Sequence, residues 1–333
     1  MDASLSWRRT QAGDLAECLR LHPAKNGAEI VGHARALGAW KQLLEMPHAT
    51  RSAVIEMHGA NGRVQIVGFG LSSFVRKSFV EDEMRIPRPG LNARIIESVV
   101  NGSPVIATYA EVRDANTRGD LQQVNLDTSW KNGPLTPAQV DEVRVLLGHA
   151  YHELFVGYRF SRILLELTDQ LDWGLVRGQR EFRVVDRFEA FRRKNPKTGW
   201  NPDRSLLEVT LDSIRKDPYS VAAGLFQHHV APQLAFTRAE QELLDAAQEG
   251  GDDAFIAKSL FVSLPAIKRR WSSIFDRVSL IRPDLCPMDG EGKRGVQKRQ
   301  RVLTYVRSHP EELRPFNLSK KKAGGTHDVP GPH

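Results

Sequence analysis

"FTRAEQELLDAAQEGGDDAFIAKSLFVSLPAIKRRWSSIFDRV", residues 236–278, carries the clearest structural signals in the chain. Thr237 precedes Glu240 by three positions, the spacing of a capping box, so a helix is expected to start there. Leu243, Leu244 and Ala247 mark its buried face, and Gly250-Gly251 supply a left-handed stop. Asp252 or Asp253 caps a short second helix with Phe255, Ile256 and Leu260 on its apolar side. Phe261-Val262 makes a tight turn, and Ser263 is expected to cap a third helix that tolerates Pro265 in its first turn. At about 100° per residue, Ile267, Trp271, Ile274, Phe275 and Val278 share one side of that helix. The opposite side carries Pro265, Arg269, Ser272, Ser273 and Asp276, with Ala266 at its border and Lys268 and Arg270 flanking it.

Charge is segregated along this region. From 236 to 253 stand one basic and six acidic residues; from 254 to 307, twelve basic and four acidic. A solvated helix usually alternates its charges to form i,i+4 pairs, yet Lys268, Arg269 and Arg270 are consecutive, with Asp276 as counterweight. A small, polar, basic face suits the major groove of duplex DNA. Ser263, Ala266, Ser272 and Ser273 would let the backbone approach closely, the flanking Lys268 and Arg270 would meet phosphates on both walls, and Arg269 stands on the contacting face between them.

The segment resembles the LuxR-type helix-turn-helix. In outline the family reads L-T-x-R-E-x-E-V-L, a Gly, then E-I-A-x-x-L-x-I-S-x-x-T-V-K-x-H-x-x-x-I-x-x-K-L. Phe236-Thr237, Glu240, Glu242-Leu243-Leu244, Gly250, Ile256-Ala257, Leu260, Val262-Ser263, Ile267-Lys268, Ile274 and Arg277-Val278 match it without a gap. Ala239, Phe255, Ala266 and Arg270 stand where the family has Arg, Glu, Thr and His, so the core pattern is kept while DNA-facing details differ. The resemblance implies double-stranded DNA as partner and a homodimer on paired half-sites. Val302, Leu303 and Val306 within 296–310 would supply the family's fourth, dimerising helix.

The amino-terminal part reads differently. Strands are expected at 5–9, 52–58, 63–75, 104–112, 121–130, 162–168 and 180–188, and helices from Asp14, at 34–44, 136–158 and 171–177. Gly59 to Gly62, with Asn61-Gly62, is a hairpin turn signal, and Thr136-Pro137 is a helix start. Gly68-Phe69-Gly70 inside a strand signals close packing or a bulge. The order is similar to the GNAT acetyltransferase fold, whose active members need a Q/R-x-x-G-x-G/A loop to cradle a pyrophosphate. Here "KNGPLTPAQ" stands before the long helix, with only Gly133. The resemblance therefore implies the fold with its acetyl-CoA site absent or altered.

The chain has 333 residues, 41% of them hydrophobic, and a formal net charge of +7. That length favours more than one core. The expected fold class is α+β: a mixed α/β domain over 1–190, a linker with helix over 191–235, an all-α helix-turn-helix domain over 236–310 and a disordered tail over 311–333. Cys18 and Cys286 are the two cysteines, which suits a reducing compartment. No signal peptide or membrane span is read, and a cytoplasmic setting is expected. His149, His152 and Glu153 share a helix, but two histidines with no further ligand make no metal site. No catalytic residue, cofactor or metal is expected. The sequence thus reads as a transcription regulator that meets a small molecule or protein partner at its amino-terminal domain. The alternatives are a GNAT-type acyltransferase with a helical accessory domain and an interaction module of a larger assembly.

Overall fold

The computed structural model describes residues 4–21, 32–59, 62–131, 133, 135–167, 181–195, 204–220, 222–226, 230–286 and 294–317. Among these, seven strands form one mixed sheet: β1 (Ser4–Arg9), β2 (Thr50–His58), β3 (Val64–Val75), β4 (Leu121–Trp130), β5 (Phe160–Leu167), β6 (Arg183–Asp186) and β7 (Ser205–Thr210). The order is β1-β2-β3-β4-β5-β7-β6, and every neighbouring pair is antiparallel except the parallel β4–β5. Helices α1 (Leu15–Leu21) and α2 (His33–Leu44) join β1 to β2, and α3 (Lys77–Arg85), α4 (Leu91–Val100) and α5 (Tyr109–Arg118) join β3 to β4.

The parallel pair needs a crossover, which α6 (Pro137–Phe155) provides. Thr136 caps it through Gln139, with Pro137 in the first turn as the sequence predicts. Gly68 lets α6 lie close to β3: a Cβ there would stand 2.9 Å from Val143 and 2.9 Å from Ile55. That is the close packing expected of the Gly68-Phe69-Gly70 run. The pairing of β4 with β5 covers only Leu121–Asn125 against Phe160–Leu165. Beyond it β4 stays with β3 as far as Trp130, and β5 stays with β7. A cleft of about 760 Å³ opens beside this divergence, lined from β2, β3, β4, β5, α4 and α6.

Two readings change. Residues 104–112 are not a strand; only Ile106 bridges, to Val75, and α5 follows. The β-rich letters there hide a capping box between Thr108 and Glu111 that starts the helix. Residues 206–230, within the expected linker with helix, begin with β7, inserted between β5 and β6, before the short helices α8 (Leu211–Lys216) and α9 (Ala223–Phe226). A short apolar run such as "SLLEVT" has no period that separates strand from helix. The helix expected at 171–177 lies outside the described residues.

The expected linker over 191–235 therefore contains part of the sheet, and α7 (Glu189–Lys194) lies within its first residues. One buried apolar cluster runs from Leu15 to Phe226, and a second from Leu234 to Leu313. The tail expected from 311 is also ordered at its start. Pro310–Leu313 is a 3-10 helix, and Glu312, Leu313 and Arg314 are buried. Residues 318–333 lie outside the described residues. Among the described residues, no helix is long and apolar enough to cross a membrane.

Candidate nucleic-acid interface

Among the described residues, four α-helices follow α9: α10 (Arg238–Gln248), α11 (Asp253–Ser259), α12 (Leu264–Ile281) and α13 (Arg294–Ser308). The capping box that opens α10 is formed. Thr237 Oγ1 accepts from the Glu240 amide at 3.3 Å, and Glu240 Oε2 accepts from the Thr237 amide at 2.7 Å. Asp252 Oδ1 accepts from the Phe255 amide at 2.8 Å and caps α11. Between α11 and α12 the chain turns at Phe261, whose φ is 54°. The amides of Phe261 and Val262 bond the carbonyls of Lys258 and Ala257 at 3.3 and 2.9 Å. Those two bonds are the pattern of a helix stop with a left-handed residue, a place usually given to glycine.

Helix α12 has the two faces that its periodicity predicts. Ile267, Trp271, Ile274 and Val278 are buried, whereas Ser263, Pro265, Lys268, Arg269, Ser272 and Asp276 are exposed. Trp271 is held on three sides. It stacks on Phe275 with centroids 5.6 Å apart, its Nε1 donates to Asp253 at 3.2 Å, and Arg299 of α13 lies 4.7 Å over the ring. Arg299 also pairs with Asp253 at 2.7 Å, so one carboxylate ties α11, α12 and α13 together.

The expected contact residues divide. Ser263 sits in the cap position with extended backbone, but its side chain makes no capping hydrogen bond, contrary to its expected role. Lys268, Arg269 and Ser272 are exposed, and Ala266 is half-buried. Arg270 does not simply flank the outer face. It is half-buried, with Nη1 3.4 Å from the Ala239 carbonyl of α10. Ser273 is exposed, but its hydroxyl donates to Glu240 Oε1 at 2.6 Å. Glu240 thereby joins the cap of α10 to Ser273 and, at 3.4 Å, to Arg277. Burial alone would raise its carboxyl pKa. The hydrogen bonds from Ser273 and Thr237 and the charge of Arg277 bring it below the ordinary value instead.

Two features escape the sequence pattern. The first is apolar exposure near the start of α12: Phe261 is 95% exposed, and Phe255 and Leu264 are exposed too. The second is the docking of α10 on the sheet. Arg9 of β1 bonds Asp245 through both terminal guanidinium nitrogens and reaches Glu249 through Nε at 2.6 Å. Arg51 of β2 stands 3.4 Å from Asp245, and Arg238 lies 4.9 Å over the ring of Tyr109. Gln241 donates to the carbonyls of Glu312 and Arg314, and Arg314 donates to the Val156 carbonyl. The docking uses α10 and the segment after α13; it leaves Lys268, Arg269 and Ser272 of α12 uncovered. No local signal marks these long-range pairs. No family model matches the chain, and no curated protein is detectably similar to it.

Proposed function

We propose that the chain is a transcription regulator that binds duplex DNA through α12 as the recognition helix of a LuxR-type helix-turn-helix. The observation that carries this reading is the exposed face of α12, with Lys268, Arg269 and Ser272 outward while Ile267, Trp271, Ile274 and Val278 are buried. Lys268 and Arg269 neutralise phosphates on the groove walls, and Ser263 and Ser272 allow close approach. Phe261 and Leu264 add apolar surface of the kind that meets thymine methyl groups. The regulator acts in the cytoplasm as a homodimer, the arrangement usual for such helices on paired half-sites.

The sheet is read as a GNAT-like sensory or partner-binding domain without catalysis. Its strand order, with one parallel pair that diverges, supports the likeness. At the start of α6, Thr136 and Gln139 cap the helix with their own side chains, which supports the loss of a pyrophosphate cradle there. The cleft beside β4 and β5 favours the acyltransferase alternative; calorimetry with acetyl-CoA separates the two. The regulator reading is tested by gel shift of random duplexes at two salt concentrations. Retarded DNA, with affinity falling steeply as salt rises, is expected. No retardation at low salt overturns it.

A further inference from the structure

The cleft is apolar over most of its wall, with Leu147, Ile163, Leu165, Phe182 and Val209 among its lining residues. Its volume, about 760 Å³, lies within the range of small-molecule sites. The acidic side chains along it already have partners. Glu166 accepts from the Gly90 and Leu91 amides and pairs with Arg204, Asp141 pairs with Arg144, and Asp127 accepts from Ser129. Among the buried polar atoms of the lining, Nε of Arg51, a donor, and Oδ1 of Asn92, an acceptor, have no hydrogen-bond partner. Asn92 is otherwise occupied, its Nδ2 donating to the Leu126 carbonyl of β4 at 2.7 Å.

Arg51 is the unusual member. Its side chain is 11% exposed, yet its other contacts are long, 3.4 Å to Asp245 and 3.4 Å to the Tyr158 hydroxyl. Arg9 already binds Asp245 through two shorter bonds. Around Asp245 stand three guanidinium groups, Arg9, Arg51 and Arg314, and one further carboxylate, Glu249. Positive charge is therefore in excess at one end of an apolar cleft. A buried donor without an acceptor is costly, and a charged one more so.

We infer that the cleft binds a small amphipathic carboxylic acid, its apolar body beside β4, β5 and α6 and its carboxylate on Arg51. This rests on the sensory reading of the sheet. A hydroxyl or amide on the body would donate to Asn92 Oδ1. One guanidinium edge with a single spare Nε suits a carboxylate. The acid on Nε shares the Arg51 charge with Asp245 and adds a third carboxylate beside Asp245 and Glu249, so its binding loosens the hold of β2 on α10.

The test is calorimetry on the full chain with decanoate, decanol and methyl decanoate as probes. Decanoate is expected to bind at least about tenfold more tightly than either neutral analogue, the difference a charge-assisted hydrogen bond makes. Arg51→Gln should remove that preference and leave decanol affinity unchanged. Hydrogen exchange in α10 should rise with decanoate in the wild-type chain and not in Arg51→Gln. Equal affinity for acid and neutral analogues in the wild-type chain overturns the proposal, and this arm does not depend on the variant folding. An acid preference that survives Arg51→Gln overturns it also, as does the absence of any binding. None of these readouts uses DNA, so a failure here is distinct from a failure of DNA binding.

Discussion

Arg9 and Asp245 hold each other through two hydrogen bonds, of 2.6 and 2.8 Å, across 236 positions of the chain. One lies at the end of β1 and the other in the middle of α10, so the pair fastens this acidic helix to the sheet. Asp245 is mostly shielded, its side chain 16% exposed, and two cations share it. Removing the carboxylate leaves Arg9 and Arg51 facing one another, with Glu249 as remaining counter-charge. Asp245→Ala is expected to cost about 2 kcal/mol, between the values for exposed and fully buried pairs. Urea unfolding of the single and double variants with Arg9→Ala would give the coupling.

The same carboxylate predicts a pH dependence. Burial alone would raise its pKa, but the charges of Arg9 and Arg51 and the hydrogen bonds from Arg9 hold it far below the ordinary carboxylate range. A group depressed in the folded state stabilises it fully above the unfolded value, about 3.9 for aspartate. That contribution fades as pH falls below this value toward the folded one. Stability should therefore decline as pH drops from about 5 to about 2, and less steeply in Asp245→Asn. Urea midpoints across that range check it; an equally steep decline in the variant would remove Asp245 from the explanation.

The three consecutive cations should separate by role. Lys268→Ala with Arg269→Ala is expected to weaken binding to every duplex and to lower the salt slope by about two. Arg270→Ala should change the slope less, because its side chain turns toward the Ala239 carbonyl, and should show mainly as a small loss of stability. Fluorescence anisotropy over a salt series, with thermal melts, distinguishes them.

Phe261 adopts a left-handed conformation while 95% of it meets solvent. A side chain there costs about 1 kcal/mol that glycine would not. Phe261→Gly is accordingly expected to raise the urea midpoint, with a gain of about 1 kcal/mol. If the ring touches DNA, affinity falls in the same variant. A more stable protein that binds less well would explain why so poor a turn residue stands there.

Gly68→Ala tests the closeness of α6 to β3. The added methyl meets Ile55 and Val143 at 2.9 Å, both on packed elements with little room to move. A loss of about 1–3 kcal/mol is expected. Gly70→Ala should cost less, since its nearest neighbour, Leu147, stands at 3.7 Å.

The helical part was the more legible. Thr237 with Glu240, Asp252, the paired glycines and the spacing of Ile267, Trp271, Ile274 and Val278 each act over a few residues. All of them appear in place. Where local signals competed, the reading failed: the β-forming letters before Thr108 outweighed its capping box, and "SLLEVT" offered no period at all. For the candidate interface, exposure of Lys268, Arg269 and Ser272 followed from helical angle alone. The inward turn of Arg270 and the engagement of the Ser273 hydroxyl did not, because both depend on where α10 lies.

By itself the sequence determined the helix starts and stops from Thr237 to Val278, and which side of α12 is apolar. Those are set by hydrogen bonds and side-chain contacts within about four residues. Only the tertiary structure decided that β7 enters between β5 and β6, that β4 and β5 part to leave a cleft, and that Arg9 and Arg51 meet Asp245. Such pairings join positions far apart in the chain. They depend on which surfaces are buried together, and no short window of residues encodes that choice.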